Sequence, residues 1–155
     1  MKQVSITKGK FAIVDDKYYR LLVLIGSWCL QSNNYAATRF RGKLWLMHDL
    51  IMFLEDGPLP PGKEIDHKNR NGLDNRLCNL RYASTSQNSA NKLKRSDNTS
   101  GYKGVFWHKK AKKWMAQVKY EGVTHYIGLF TSKYEAAQAY NKKLYDLAGD
   151  FACLN

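Results

Sequence analysis

Cysteine, proline and acidic residues are all scarce in this 155-residue chain, and each scarcity narrows what it can be. Cys29, Cys78 and Cys153 are scattered and odd in number, with no Cys-x-x-Cys pair. That argues against a disulfide framework and against a structural zinc site, and the three thiols are expected to be small core residues. The three prolines, Pro58, Pro60 and Pro61, all lie between Gly57 and Gly62, a stretch that must end any helix entering it. Only 13 Asp and Glu face 25 Lys and Arg, a formal net charge of +12. Such an excess favours a polyanionic partner, either nucleic acid or an anionic membrane surface. No apolar run approaches the roughly 20 residues that span a bilayer. Met1-Lys2-Gln3-Val4 leads into polar residues rather than into the apolar segment of a signal peptide. The protein is therefore expected to be intracellular, with room for one ordinary domain or two small ones.

Local patterning gives a coarse order of elements. Phe11 to Val14 reads as a strand, and Asp15 or Asp16 can cap a Leu-rich helix over about 17–25. Trp28 to Gln31 and Tyr35 to Arg41 read as strands joined by Ser32-Asn33-Asn34. Arg39 and Arg41 alternate with Phe40, which would place both on one face of the second strand. Leu44 to Leu54 is apolar around His48 and Asp49 and is expected to be mostly helical. Polar, basic residues 92–100 have almost nothing to bury and read as a linker. Beyond them, 103–107, 114–120 and 124–130 are strand-like, Glu121-Gly122 is a turn, and Ser132-Lys133-Tyr134-Glu135 has the form of a capping box. Ala136, Ala137, Tyr140, Leu144 and Leu147 give the following helix one apolar face, and Gly149 stops it.

The most informative run is Ile65 to Arg81, completed by Asn88. Cutting a phosphodiester needs a metal to neutralise charge, a base to activate water, and groups that hold both. Asp66 ends a strand and offers a hard oxygen to a divalent cation. His67 follows directly, so the two side chains diverge and one can hold metal while the other works on water. A neutral imidazole, ordinarily titrating near pH 6.5, suits a general base. After a polar loop, Asn79 opens a second strand, and Ser84 or Thr85 can cap a helix that carries Asn88 about one turn in, able to reach back to the metal beside Asp66. Oxygen donors from Asp and Asn favour Mg²⁺ or Mn²⁺ over Zn²⁺.

This strand–loop–strand–helix unit, carried by Asp66-His67, Asp74-Asn75, Asn79-Leu80-Arg81 and Asn88, resembles the H-N-H, or ββα-metal, endonucleases, most closely those of phages and introns. The resemblance implies that His67 is the general base, that Asn79 is structural and orients it, and that Asp66 and Asn88 bind one divalent ion. Asn88 stands where many relatives have His, a variant common among phage members. The resemblance also covers the Leu46 to Met52 helix before the site, where His48 is expected to pack or to contact phosphate rather than to catalyse.

From Lys92 to Lys119 nine Lys and Arg face one acid, Asp97, with Lys109, Lys110, Lys112 and Lys113 crowded into one turn. On the middle strand Trp114, Ala116 and Val118 share one face, expected under the helix, and Met115, Gln117 and Lys119 share the other, left free for DNA. A three-stranded sheet can lie in a major groove. Gly101 to Val105, Lys113 to Ala116, Ile127 to Phe130, Glu135 to Tyr140 and Ala152 to Asn155 resemble the Apetala-type, or ethylene-response-factor, DNA-binding domain. That resemblance assigns Lys103, Phe106, His108, Gln117, Lys119, Thr124 and Tyr126 to the DNA-facing set. Phe106, His108 and Thr124 stand where plant members have Arg, a departure from the plant pattern of base recognition.

Together these features predict an α+β protein. A ββα-metal nuclease domain with N-terminal accessory strands (1–91) is expected to precede a basic linker (92–100) and a three-stranded antiparallel sheet packed on one helix (101–155). The expected activity is site-directed, homing-type hydrolysis of double-stranded DNA with one Mg²⁺ or Mn²⁺ per site. Arg39, Arg41 and Lys43 are expected to track the substrate backbone. The chain would work as a monomer or a DNA-induced dimer in the cytoplasm of a phage-infected bacterium, without a membrane partner. The alternatives are a catalytically silent DNA-binding regulator and a single-strand or RNA-binding module using Phe106 and Tyr126.

Overall fold

The computed structural model describes Met1 to Asn155, in two units, Met1–Ala83 and Ser84–Asn155. The first opens on a hairpin, β1 (Lys2–Ile6) antiparallel to β2 (Lys10–Val14). Its alternation buries Val4, Ile6, Ala12 and Val14 on one face. Helix α1 (Asp16–Ile25) follows and buries Tyr18 and Leu22. Asp15 stands at its N-cap position, but the Asp15 carboxylate accepts a hydrogen bond from Leu77 N at 2.8 Å and makes no side-chain cap. A local capping expectation thus gives way to a tertiary contact.

Strands β3 (Cys29–Leu30), β4 (Ala36–Phe40) and β5 (Lys43–Leu46) form a sheet in that order. Phe40 pairs with Lys43 across Arg41-Gly42, whose φ values of 50° and 77° are those of a two-residue hairpin turn. Two expectations change here. Arg41 leaves the strand and loses the alternation that would have set it beside Arg39. The turn also folds 43–46 back onto β4 as a strand, so helix α2 spans Met47–Asp56 rather than beginning near 44. Gly57 ends α2, ahead of the prolines. Strands β6 (Glu64–His67) and β7 (Leu80–Ala83) pair antiparallel, with Asp66 opposite Arg81 and His67 opposite Leu80. Asn79 belongs to a 3₁₀ turn, Leu77–Asn79, just before β7. The core of this unit gathers Val14, Leu22, Trp28, Met47, Ile51 and Leu80 from nearly all its elements.

The second unit begins with helix α3 (Thr85–Asn91), closed by a capping box: Gln87 N donates to Ser84 Oγ at 3.2 Å, and Ser84 N donates to Gln87 Oε1 at 2.8 Å. Ala90 joins the core of this unit, its carbonyl accepting from Cys153 N, and Ser86 Oγ accepts from Glu121 N. These contacts place α3 with the following residues. Residues 92–100 are also tied down at their end, where Ser100 is buried and both Asn98 and Ser100 donate to the Tyr102 carbonyl.

Strands β8 (Val105–His108), β9 (Lys113–Tyr120) and β10 (Val123–Phe130) form an antiparallel sheet with β9 in the middle, and helix α4 (Lys133–Ala148) packs on it. Val105, Ala116, Val118 and Tyr120 meet Ala136, Ala137, Tyr140 and Leu144. At the start of α4 the reciprocal box is not made. Ser132 Oγ accepts from Tyr134 N, while Glu135 accepts from Thr131 Oγ1. Of the three thiols only Cys153 is buried; Cys29 and Cys78 are exposed, contrary to a shared core role. No helix is long and apolar enough to cross a membrane.

Candidate active site

The polar loop between β6 and β7 is held from three sides. Lys68 N donates to Asn79 O and Arg70 N to His67 O, both at 2.8 Å, which closes the loop on itself. Asp74 accepts a bidentate pair from Arg76, Nε to Oδ1 and a terminal nitrogen to Oδ2, both at 2.7 Å, and a further bond from Asn69 Nδ2. Arg76 holds the Asp74 carboxyl below the usual range. From the third side β2 supplies its backbone: Ile13 N donates to Leu73 O at 2.7 Å, and Asn75 N donates to Ile13 O at 2.8 Å. The N-terminal hairpin thus fixes the residue on which the imidazole rests.

That residue is Asn75, wholly buried, with its Oδ1 3.1 Å from His67 Nε2. A carboxamide oxygen only accepts, so the contact is a hydrogen bond when the ring proton sits on Nε2, which leaves the lone pair on Nδ1. Asn79, expected to orient His67, does another job. Its Nδ2 donates to Asn69 Oδ1 and to Asp74 O, and its Oδ1 accepts from Asn69 N. It pins the loop that carries Asn75 and acts on the imidazole at one remove. Nothing in the residue types separates two asparagines four positions apart; only the strand from Ile13 decides between them.

His67 is 4 % exposed. Burial pushes its pKa down, against opposing contributions from the Asn75 hydrogen bond and from Asp66 and Asp74, so the ring is unprotonated at neutral pH. Beside it, Asp66 is 5 % exposed and its Oδ2 accepts from Arg81 Nε at 2.8 Å. Arg81 is its partner across the hairpin, a role the sequence did not signal. His48 is buried, its ring 4.9 Å from that of His67 and nearly perpendicular. Burial and then the neighbouring His67 push the His48 pKa down to about 3. His48 is therefore neutral at pH 7, and packing, not a cationic phosphate contact, is what it offers. Tyr35 completes the group, 4.9 Å from His48 and 5.5 Å from His67 between ring centroids.

No three His, Cys, Asp or Glu side chains come together as a metal cluster. The Asp66 carboxylate is the hard donor beside the imidazole. Asn88 lies half-buried on α3, in the second unit. Arg39, Arg41 and Lys43 are exposed around the β4–β5 turn, with Lys43 Nζ 4.0 Å above the Trp45 ring.

On the second unit, Phe106, Gln117, Lys119, Thr124 and Tyr126 stand on the sheet face away from α4, by strand alternation and register, with Tyr126 60 % exposed. His108 shares that face, and its Nδ1 accepts from Ala111 N, which stabilises the lysine-bearing turn. Lys103 departs from the expected set. It precedes β8, and its ammonium donates to the carbonyls of Ala90 and Lys92 at 2.7 Å each, closing the C-terminal end of α3.

Residues 46–90 match the HNH endonuclease family. The chain is 33 % identical over 149 residues to an uncharacterized HNH endonuclease, L560, of Acanthamoeba polyphaga mimivirus, a match covering 96 % of this chain and 76 % of the relative. It is 43 % identical over 78 residues to Protein 3.8 of Escherichia phage T7, covering 50 % of this chain and 64 % of that one. No solved structure matches it.

Proposed function

Since this chain belongs to the HNH endonuclease family, we propose that it is a homing-type, divalent-metal-dependent endonuclease that hydrolyses phosphodiester bonds of double-stranded DNA. The observation that carries this reading is the buried His67, held through Nε2 by Asn75 beside the Arg81-paired Asp66. With its Nδ1 lone pair, His67 takes the proton of a water that attacks phosphorus in line. Asp66 and, from helix α3, Asn88 would hold one Mg²⁺ or Mn²⁺, an oxygen donor set that fits such an ion. When bound, that ion supplies charge neutralisation at the scissile phosphate. Asn75 keeps the ring in one tautomer, Asn79 keeps Asn75 in place, and Arg81 keeps the Asp66 carboxylate aimed.

The substrate is carried by two basic regions. Arg39, Arg41 and Lys43 contact backbone phosphates near the site. The outer face of the β8–β9–β10 sheet, acting as an Apetala-type reader, meets the duplex through Phe106, His108, Gln117, Lys119, Thr124 and Tyr126. Supporting this are the sheet order, the helix on the opposite face and the four exposed lysines of the β8–β9 turn. A plasmid nicking assay with and without Mg²⁺ tests the whole reading. The expected result is metal-dependent nicking by the wild type, abolished in His67→Ala while DNA binding persists. Wild-type protein that binds duplex DNA but never cuts it would instead identify a silent regulator.

A further inference from the structure

Asn75 meets one nitrogen of the His67 ring, and two further rings lie against its other sides. Tyr35 lies against His67 at 5.5 Å with an interplanar angle of 31°, and His48 meets it at 4.9 Å and 86°. Tyr35 and His48 also touch each other, 4.9 Å apart at 62°. Offset and edge-to-face arrangements at these separations are the favoured ones for aromatic rings. The His48 Nδ1 is buried without a hydrogen-bond partner, so this ring is not placed there to satisfy that nitrogen. Tyr35 is in turn wedged by the active-site loop. A Cβ at Gly72 would lie 2.6 Å from Tyr35 Cδ1 and 2.7 Å from Asn34 O, so only glycine lets the loop close on this ring.

We propose that Tyr35 and His48 are positioning residues that clamp the plane of the His67 imidazole, with Gly72 as the close approach that seats the clamp. Neither touches the reacting atoms; both act through His67. The inference rests on the nuclease reading for its kinetic consequence, but not for its structural one. General-base catalysis depends on the lone pair pointing at the water, and misplacement by about 1 Å costs on the order of 10²-fold in rate. Filling the volume with an aliphatic side chain keeps the core full but removes the ring faces and edges.

The test uses the full chain with Tyr35→Leu, His48→Leu, Tyr35→Phe, His48→Phe and Gly72→Ala. Single-turnover plasmid nicking at saturating protein, duplex binding without metal and thermal melting are followed together. Nitrogen-15 spectra of the His67 ring report its tautomer. Both leucine variants are expected to lose about 10- to 100-fold in nicking rate, with binding unchanged and the ring resonances shifted to a mixture of tautomers. Both phenylalanine variants should recover most of the rate and a single Nε2–H tautomer, and Gly72→Ala should follow the leucine pattern through Tyr35. Leucine variants that cut at the wild-type rate overturn the proposal, as do phenylalanine variants as slow as the leucine ones. If a leucine variant fails to fold, the phenylalanine pair and Gly72→Ala still decide. If the wild type never cuts, the nuclease reading falls and the spectra alone judge the clamp.

Discussion

Asn75 and Asn79 divide between them a task that the residue types alone would give to either. Asn75 meets the His67 ring directly and Asn79 holds the loop. Replacing Asn75 with Ala should lower the nicking rate by about 10²-fold or more, within the range attributed to a working general base, and leave duplex binding intact. Binding that falls in parallel would mean that the loop had collapsed. The pH behaviour follows from the two imidazoles. Burial lowers the His67 pKa, so the acid limb of the nicking rate should fall below pH 6.5, the ordinary value for histidine. His48 is held unprotonated down to about pH 3, whereas its unfolded counterpart takes up a proton near 6.5. The folded state therefore binds fewer protons in between. The stability His48 contributes is complete above about pH 6.5 and is lost as pH falls towards 3. Melting temperatures of wild type and His48→Phe measured from pH 7 to 4 should diverge, the wild type falling faster.

Much of the element order is legible in the sequence, and where it is not, the reasons are physical. The β8, β9 and β10 strands and the helix after them stand within two residues of expectation, because alternation and the 3.6-residue stripe run through them, interrupted only by a bulge between Tyr126 and Gly128. The β5 strand is hidden because Leu44-Trp45-Leu46 is equally apolar as helix or strand. Only the two left-handed residues Arg41 and Gly42 fold it back. The Asp66-His67 pair, Ser84 as a cap and His48 as a packing residue are visible; Tyr35 and the Arg81 partnership are not, since ring contacts and cross-strand register leave no local mark. Gly104 shows how tightly the second element set is packed. Its φ is 70°, and a Cβ there would lie 2.0 Å from Tyr140 Cε2 and 2.7 Å from Gln117 O. Gly104→Ala should thus lower the melting temperature of the sheet unit markedly, whereas Gly122→Ala, at a positive φ with open space around it, should cost only the backbone strain.

Across the whole molecule, charge and chemistry are distributed unequally. The turn bearing Lys109, Lys110, Lys112 and Lys113 is exposed and carries no acid. Changing all four to Ala should flatten the log–log salt dependence of duplex binding by about 0.9 for each phosphate no longer neutralised. An unchanged slope would remove this turn from the interface. Deleting 101–155 has a consequence beyond reduced selectivity. Helix α3 packs its Ala90 into the core that those residues build, and Lys103 closes its last turn. A chain ending at 100 should therefore lose metal-dependent nicking as well as site preference. Retained wild-type nicking would show that Asn88 needs no such support.

The family match begins at residue 46, yet the backbone of Ile13 holds Leu73 and Asn75. If the first hairpin peels away, the β6–β7 pair can survive while Asn75 drifts and the imidazole is released. The enzyme would then have a silent, nearly intact form reached by fraying at one end. In rising urea, cutting should stop while the far-ultraviolet dichroism is still almost native, and the amide of Asn75 should exchange with solvent ahead of those in β7.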